Sequence, residues 1–190
     1  MTDNRLAMRS ITALFLAGQI LLLMLLAARG NNNYIHGIAA TTGLWLAYCY
    51  CETKFRLSMN NYVRTILVIT LFSDGFLGYY LQLYLTSNVF DKLQHAFGTY
   101  SFALFGYLLV AQRIKGSLPR EVNFILVLCL GISMGAVYEI LEFIVDNTTR
   151  PDPPGQPSLL DTDLDLIADS VGAAVAAVHA CSVKFINRHF

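Results

Sequence analysis

Acidic side chains and one histidine recur at helical spacing in the second half of this 190-residue chain. Asp91 and His95 are four residues apart, so they stack on one face of a helix. Two acidic triplets have the same face-sharing spacing: Glu139, Glu142 and Asp146, and Asp161, Asp165 and Asp169. Three consecutive helices would each carry a polar stripe at the same end. Since short connections keep such helices together, we expect the stripes to converge in one pocket.

The number of carboxylates indicates the chemistry of this pocket. They cannot all be ionised together at low dielectric, because like charges and desolvation both disfavour the charged form. Protonation of some acids or capture of a cation would solve the problem. Oxygen ligands with a single imidazole suit Mg²⁺, Mn²⁺, Fe²⁺ or Zn²⁺. The expected metal ligands are His95, Glu139, Glu142 and Asp165. The expected general bases or ligand-supporting carboxylates are Asp91, Asp161 and Asp169.

Some of the acids have simpler explanations. Asp161 can cap the helix that follows it. Asp74 lies upstream with Gly78 and Gln82 on its own face, and it is a candidate for the floor of the pocket. Solvated positions at helix ends or in loops would account for Asp91, Asp146, Asp152 and Asp163.

The composition indicates which elements hold these residues. Apolar residues make up 55% of the chain and charged residues only 14%, and the mean hydropathy is +0.52. Lys and Arg number 13, and so do Asp and Glu. These values exclude a disordered chain, a disulfide-rich secreted module and a basic nucleic-acid-binding protein. They indicate an integral membrane protein whose partner is the lipid bilayer.

The apolar stretches are long enough to cross a bilayer, which takes about 20 residues in helical form. Five are clear, and a shorter sixth, over 34–50, is also included. Without it, the basic residues before the first span and those after residue 50 would fall on opposite faces of the membrane. The predicted spans cover residues 8–28, 34–50, 62–85, 93–112, 122–145 and 164–181. We therefore expect an all-α, single-domain bundle of six transmembrane helices, with one longer outer loop over 146–163.

The basic residues predict the orientation of the bundle. With both termini inside, the outer face receives only Arg29, Lys92 and Arg150, and the other ten basic residues fall inside. Glu52 also falls on the inner side, whereas nine of the 13 acids lie in outer loops or the outer halves of the last three spans. The prediction is an N-in, C-in, multi-pass protein of the cell membrane with an outward-facing polar pocket.

Three short motifs resemble those of a known family. The YjdF-like family of bacterial inner-membrane proteins has elements similar, and in the same order, to Asp91-Lys-Leu-Gln-His95, Tyr138-Glu-Ile-Leu-Glu142-Phe and Asp161-Thr-Asp-Leu-Asp165. The VanZ-like proteins resemble this layout more distantly. The chain departs from the family pattern at Leu164, where an aromatic residue is usual, and at Gly155-Gln156, where the family has Gly-Asp. The resemblance implies a polytopic bacterial inner-membrane protein and supplies no activity.

Three functions remain open at this point. A metal-dependent hydrolase or transferase acting on a lipid or envelope precursor would use the cation to activate water. No serine lies in a Gly-x-Ser-x-Gly setting, so a covalent serine mechanism is not expected. A cation- or proton-coupled transporter would use the same acids, and a chain this short would need a homodimer to build a pathway. A non-enzymatic resistance or assembly factor would use the cluster as an interhelical lock.

Overall fold

The computed structural model describes residues 2–30, 34–87, 89–114, 118–151 and 154–182, with side chains from residue 6 onwards. Within these ranges the regular structure is entirely helical, which confirms the predicted all-α class. The α-helices are α1 (Thr2–Ala28), α2 (Ile35–Lys54), α3 (Asn61–Ser73), α4 (Leu83–Thr86), α5 (Phe90–Ala111), α6 (Arg120–Thr149) and α7 (Leu159–Ala180). Four residues with sequence predictions lie outside the described ranges. Asp152 is expected to be a solvated acid, and the other three are basic residues expected at the inner face: Lys115, Lys184 and Arg188.

The chain divides into two compact units, Met1–Phe90 and Asp91–Phe190. In the first unit, Leu22 and Leu26 of α1 form an apolar core with Ile38 of α2. Leu22 and Leu26 are at most 1% exposed. Burial of apolar side chains stabilises such packing by about 25 cal/mol for each Å² of apolar surface removed from water.

A buried ion pair joins α2 to α3 within the first unit. The two Nη atoms of Arg64 each donate to one carboxylate oxygen of Glu52 at 2.8 Å, and Nη2 also donates to the Met59 carbonyl oxygen at 3.1 Å. Arg64 is fully buried and Glu52 is 8% exposed. One guanidinium therefore neutralises one carboxylate with matching bidentate geometry.

The span predicted over 62–85 is not one continuous α-helix. After α3 the backbone forms a π-helical segment, Asp74–Tyr80, and Gln82 then adopts a left-handed conformation with φ 60°. The chain turns back at this residue, and the Tyr84 hydroxyl donates to Asp74 Oδ1 at 2.6 Å. The prediction that Asp74, Gly78 and Gln82 share one helical face is therefore wrong, because the regular helix ends before Gln82.

The helices of the second unit extend beyond the predicted spans. The helix expected over 122–145 continues to Thr149, and that expected from residue 164 begins at Leu159. The connection predicted over 146–163 is correspondingly shorter. The Ser158 side chain accepts a hydrogen bond from the Asp161 backbone N–H at 3.2 Å, so Ser158 is the N-cap of α7. Asp161 lies in the first turn instead, which makes its interpretation as the cap wrong.

Two helices among the described residues are long and apolar enough to cross a membrane, judged by length and composition. They are Leu6–Ala28 and Arg120–Thr149. Charged side chains lie in the first turns of α5, α6 and α7, with Asp91, Glu121 and Asp161 among them. The all-helical class is thus established, whereas the six spans, the single domain and the N-in, C-in orientation stay predictions.

Candidate functional site

Close packing within the second unit brings the polar stripes of α5, α6 and α7 together, and two glycines permit it. A Cβ atom at Gly135 of α6 would lie 2.5 Å from Oδ2 of Asp169 on α7. A Cβ atom at Gly172 of α7 would collide with the backbone carbonyl oxygen of Ala96 on α5. Any larger side chain would push α7 away, so these glycines set how closely the Asp169 carboxylate approaches α5.

The Lys92 ammonium, in the first turn of α5, holds carboxylates of two helices. Its Nζ atom lies 2.9 Å from Asp91 Oδ2, 2.6 Å from Asp161 Oδ1, and 2.7 and 2.8 Å from the two oxygens of Asp165. Partial desolvation alone would lower the pKa of Lys92, but these hydrogen bonds outweigh it and raise the pKa above the usual range of a lysine. Lys92 is therefore a fixed positive charge at neutral pH.

The His95 imidazole, one turn further along α5, faces carboxylates at both ring nitrogens. Nδ1 lies 3.3 Å from Asp169 Oδ1 and 3.7 Å from Glu139 Oε1. Nε2 lies 3.8 Å from Asp91 Oδ1 and 3.8 Å from Asp165 Oδ1. Only the Asp169 contact is within hydrogen-bond reach, so His95 is surrounded by negative charge without being saturated by hydrogen bonds.

The Asp169 carboxylate is buried and is anchored from α5. Thr99 Oγ1 donates to Asp169 Oδ1 at 2.5 Å, and the residue is 2% exposed. The same oxygen lies 3.3 Å from Nδ1 of His95, the ring nitrogen that also faces Glu139. Thr99 and Asp169 therefore restrain the position of the imidazole ring.

The Glu139 carboxylate on α6 is only half satisfied. Its Oε2 accepts from Gln156 Nε2 at 2.7 Å, and the same amide nitrogen donates to the Glu139 backbone carbonyl at 2.9 Å. Its Oε1 is buried and has no hydrogen-bond partner among the described residues. One potential ligand atom from each of His95, Glu139 and Glu142 lies within 4.8 Å of the others. This group is therefore close enough to share one ion.

The charges of the cluster do not balance. Six carboxylates face one ammonium and one imidazole, so at least four negative charges would remain uncompensated if all the acids ionised. A second group of potential ligand atoms within 4.8 Å comprises Asp91, His95 and Asp165. Nitrogen and carboxylate oxygen are the donors that Mg²⁺, Mn²⁺, Fe²⁺ and Zn²⁺ accept. Such a donor set could hold a divalent cation, and the binding of one stays a prediction.

All seven predicted site residues come together at this place. They are Asp91, His95, Glu139, Glu142, Asp161, Asp165 and Asp169. Asp146 has a different role. Its two oxygens accept hydrogen bonds from the backbone N–H groups of Gly155 and Gln156 at 2.9 and 2.8 Å, so it holds the loop between α6 and α7. Asp163 is exposed, as a solvated helix residue would be. Which of the seven bind a metal or act as bases stays a prediction.

Two functional contacts were not found from the sequence. In the sequence Lys92 counts only among the basic residues of the outer face, although its position beside Asp91 places it on the same turn as the acidic stripe. Gln156 stands where the resembling family has an aspartate, but it lies in the loop between α6 and α7, where no helical period predicts the direction of a side chain.

Comparison with known proteins gives a family and no activity. Residues 9–184 match the family model described as "Predicted membrane protein (DUF2238)", which is the YjdF family. An uncharacterized protein of Thermotoga maritima is 29% identical over 116 residues. That alignment covers 60% of this chain, and the chain spans 59% of the relative's length. No solved structure matches, and the VanZ-like resemblance is not shown by these matches. The chain belongs to the DUF2238 family of predicted membrane proteins.

Proposed function

We propose that the protein binds one divalent cation through His95, Glu139 and Glu142, and that it is a multi-pass protein of the bacterial inner membrane. The cation would serve a hydrolytic or transfer reaction on a lipid or envelope precursor, in a pocket that faces outward. Membership of a family of predicted membrane proteins supports the location in a membrane.

One observation carries the proposal of a cation site. Glu139 is 5% exposed, and its Oε1, which faces the His95 ring at 3.7 Å, has no hydrogen-bond partner in the part of the chain that the structure describes. A buried carboxylate oxygen without a partner costs about 1–3 kcal/mol or more, because its hydration is lost and nothing replaces it. A bound cation would remove this cost and would also reduce the excess negative charge around His95.

The residues around the site have separate tasks in this proposal. Asp169 and Thr99 orient the imidazole, and the Gln156 amide orients Glu139. A divalent cation in such a site lowers the pKa of bound water and polarises a carbonyl or phosphoryl group. Asp91 and Asp161 are candidates for the general base, and both are restrained by Lys92.

The orientation of the site follows from the basic residues. In the N-in, C-in topology, ten of the 13 Lys and Arg residues fall inside, and the acidic ends of the last three spans face outward. A reporter fused after Phe190 should respond from the cytoplasmic side. A periplasmic response would contradict this topology without affecting the cation site.

A structural role is the second candidate function. Lys92 joins α5 to α7 through Asp161 and Asp165, so the cluster could serve as an interhelical ionic lock in a non-enzymatic protein. In that case the removal of a single carboxylate would loosen the helices, and added divalent ions would not change the stability.

Metal content separates these two functions. The detergent-purified chain, dialysed against Mn²⁺ and then against metal-free buffer, should retain one Mn²⁺ per chain. Glu139→Gln and Glu142→Gln should both reduce the retained metal, because each removes a proposed ligand. Asp163→Asn serves as the matched control, because Asp163 is an exposed carboxylate of α7 outside the cluster. A folded wild-type chain without stoichiometric metal would end the cation proposal. Unfolding of both site variants, with no effect of Mn²⁺, would favour the ionic lock.

A further inference from the structure

The oxygens around Lys92 form the kind of shell that surrounds a bound cation. Four oxygens of Asp91, Asp161 and Asp165 lie within 2.9 Å of a single Nζ atom. An ammonium group has three N–H donors, so at most three of the four contacts are well-aligned hydrogen bonds at one time. Three carboxylates around one positive charge still leave two negative charges uncompensated.

This shell overlaps with a set of ligand atoms that could itself hold a metal. Asp91, His95 and Asp165 form one such set, and His95, Glu139 and Glu142 form the other. Two-metal sites in proteins use neighbouring ligand sets. His95 belongs to both sets here, and a neutral imidazole has one free lone pair, so a second ion would be held mainly by the carboxylates of Asp91 and Asp165. Here Lys92 already bonds to both carboxylates of the first set.

The second set has no such cation. Among the described residues, Glu139 Oε1 and Asp165 Oδ1 are both buried without a hydrogen bond. Asp165 Oδ1 nevertheless lies 2.7 Å from the Lys92 ammonium, whereas the Lys92 ion pairs go to Asp91, Asp161 and Asp165 and not to Glu139. The cluster therefore contains one carboxylate group that is filled by a side-chain cation and one that is not.

We propose that Lys92 is a built-in counter-cation that fills the first ligand set, so that the cluster takes one divalent cation and not two. The inference rests on the proposed function for the second set, and it makes Lys92 the residue that determines the stoichiometry. A neutral residue at this position would turn a site for one ion into a site for two.

The test compares the Mn²⁺ bound per chain in three full-length, detergent-purified proteins. Lys92→Ala removes the charge and leaves space for an ion, while Lys92→Arg keeps the charge and is the matched control. Equilibrium dialysis should give one Mn²⁺ for the wild type, one for Lys92→Arg and two for Lys92→Ala. Circular dichroism reports whether each protein is folded.

The outcomes distinguish this inference from the proposed function. A folded Lys92→Ala protein that binds one Mn²⁺, like the wild type, would overturn the role of Lys92 and leave the single site intact. A wild type that binds no Mn²⁺ would refute the proposed function. In that case one Mn²⁺ bound to Lys92→Ala would still support the role of Lys92, and none bound would refute it.

Loss of folding in Lys92→Ala does not prevent the decision. If the variant unfolds in chelator and Mn²⁺ restores it, the metal replaces the ammonium as the inference requires. If Mn²⁺ does not restore it, Lys92→Gln takes its place, because glutamine keeps a polar side chain of similar length, and the same counts of one or two ions apply.

Discussion

The two units of the chain bury charge in different ways. In the first unit Arg64 and Glu52 form a one-to-one pair with two hydrogen bonds of 2.8 Å. Among the described residues of the second unit, six clustered carboxylates share one ammonium and one imidazole, and a Glu139 oxygen is left without a hydrogen bond. A balanced pair of this kind serves to join helices, whereas an excess of one sign is typical of a site that binds an ion.

Removal of Arg64 should have the largest effect on stability. Arg64→Ala leaves the Glu52 carboxylate buried without a countercharge, which should lower the free energy of unfolding by about 3–5 kcal/mol. Denaturant unfolding in detergent measures the loss. The paired change Arg64→Met with Glu52→Leu should recover most of it, because no buried charge remains unpaired. Equal stability of Arg64→Ala and the wild type would contradict the comparison.

Removal of one charge from the second unit should have the opposite effect on the metal-free protein. Glu139→Gln reduces the excess of carboxylates, so unfolding in chelator should show unchanged or higher stability. The affinity for Mn²⁺ should fall by more than the about tenfold to hundredfold that follows the loss of a group supporting a ligand, because here the ligand itself is lost. Titration calorimetry checks the affinity, with Asp163→Asn as the control. A less stable Glu139→Gln protein with unaltered affinity would refute the assignment of Glu139 as a ligand.

Removal of the loop amide should weaken binding less. Gln156→Ala leaves Glu139 Oε2 without its 2.7 Å hydrogen bond, so the carboxylate loses its fixed orientation. We expect about a tenfold loss of Mn²⁺ affinity, at the lower end of what the loss of a hydrogen bond to a metal ligand produces. Gln156→Glu should instead raise the affinity, because it adds a carboxylate. No change in either variant would show that the loop does not position Glu139.

The effect expected at Thr99 is mainly on stability, and it is smaller than that of Arg64→Ala. Thr99→Val removes the hydroxyl donor to Asp169 Oδ1 and keeps the shape of the side chain. The free energy of unfolding should fall by about 1–3 kcal/mol in chelator. The loss should increase when Mn²⁺ is present, because a variant that positions the His95 ring less well gains less stability from the ion. Thermal unfolding with and without Mn²⁺ measures the difference. Thr70→Val is a comparison variant, since Thr70 is a buried threonine of the first unit whose hydroxyl donates to a helix carbonyl, that of Ile66.

The sequence predicted the convergence of the site well, because helical spacing is a local property. A spacing of three or four residues places side chains on one face whatever the helix packs against, and this was sufficient for His95, Glu139 and Asp165. The distances between the helices could not be predicted in the same way. They depend on Gly135 and Gly172, whose partners are far away in the chain.

The errors lie where contacts beyond the spacing of one helical turn decide the local conformation. The helix predicted over 62–85 ends early because Gln82 takes a left-handed conformation and Tyr84 reaches back to Asp74. Both the pairing of Glu52 with Arg64 and the contact of Gln156 with Glu139 depend on tertiary packing. The sequence placed Glu52 and Arg64 on one side of the membrane, but their spacing alone did not predict that they would pair.

The most direct test of the central claim is the electron spin echo spectrum of Mn²⁺ bound to the detergent-purified chain. If the cation occupies the proposed site, the spectrum of a single bound Mn²⁺ should show the modulation of an imidazole nitrogen, and His95→Gln should abolish it. A folded wild-type chain that binds no Mn²⁺, or binds it without nitrogen modulation, would contradict the claim that His95, Glu139 and Glu142 form a cation site.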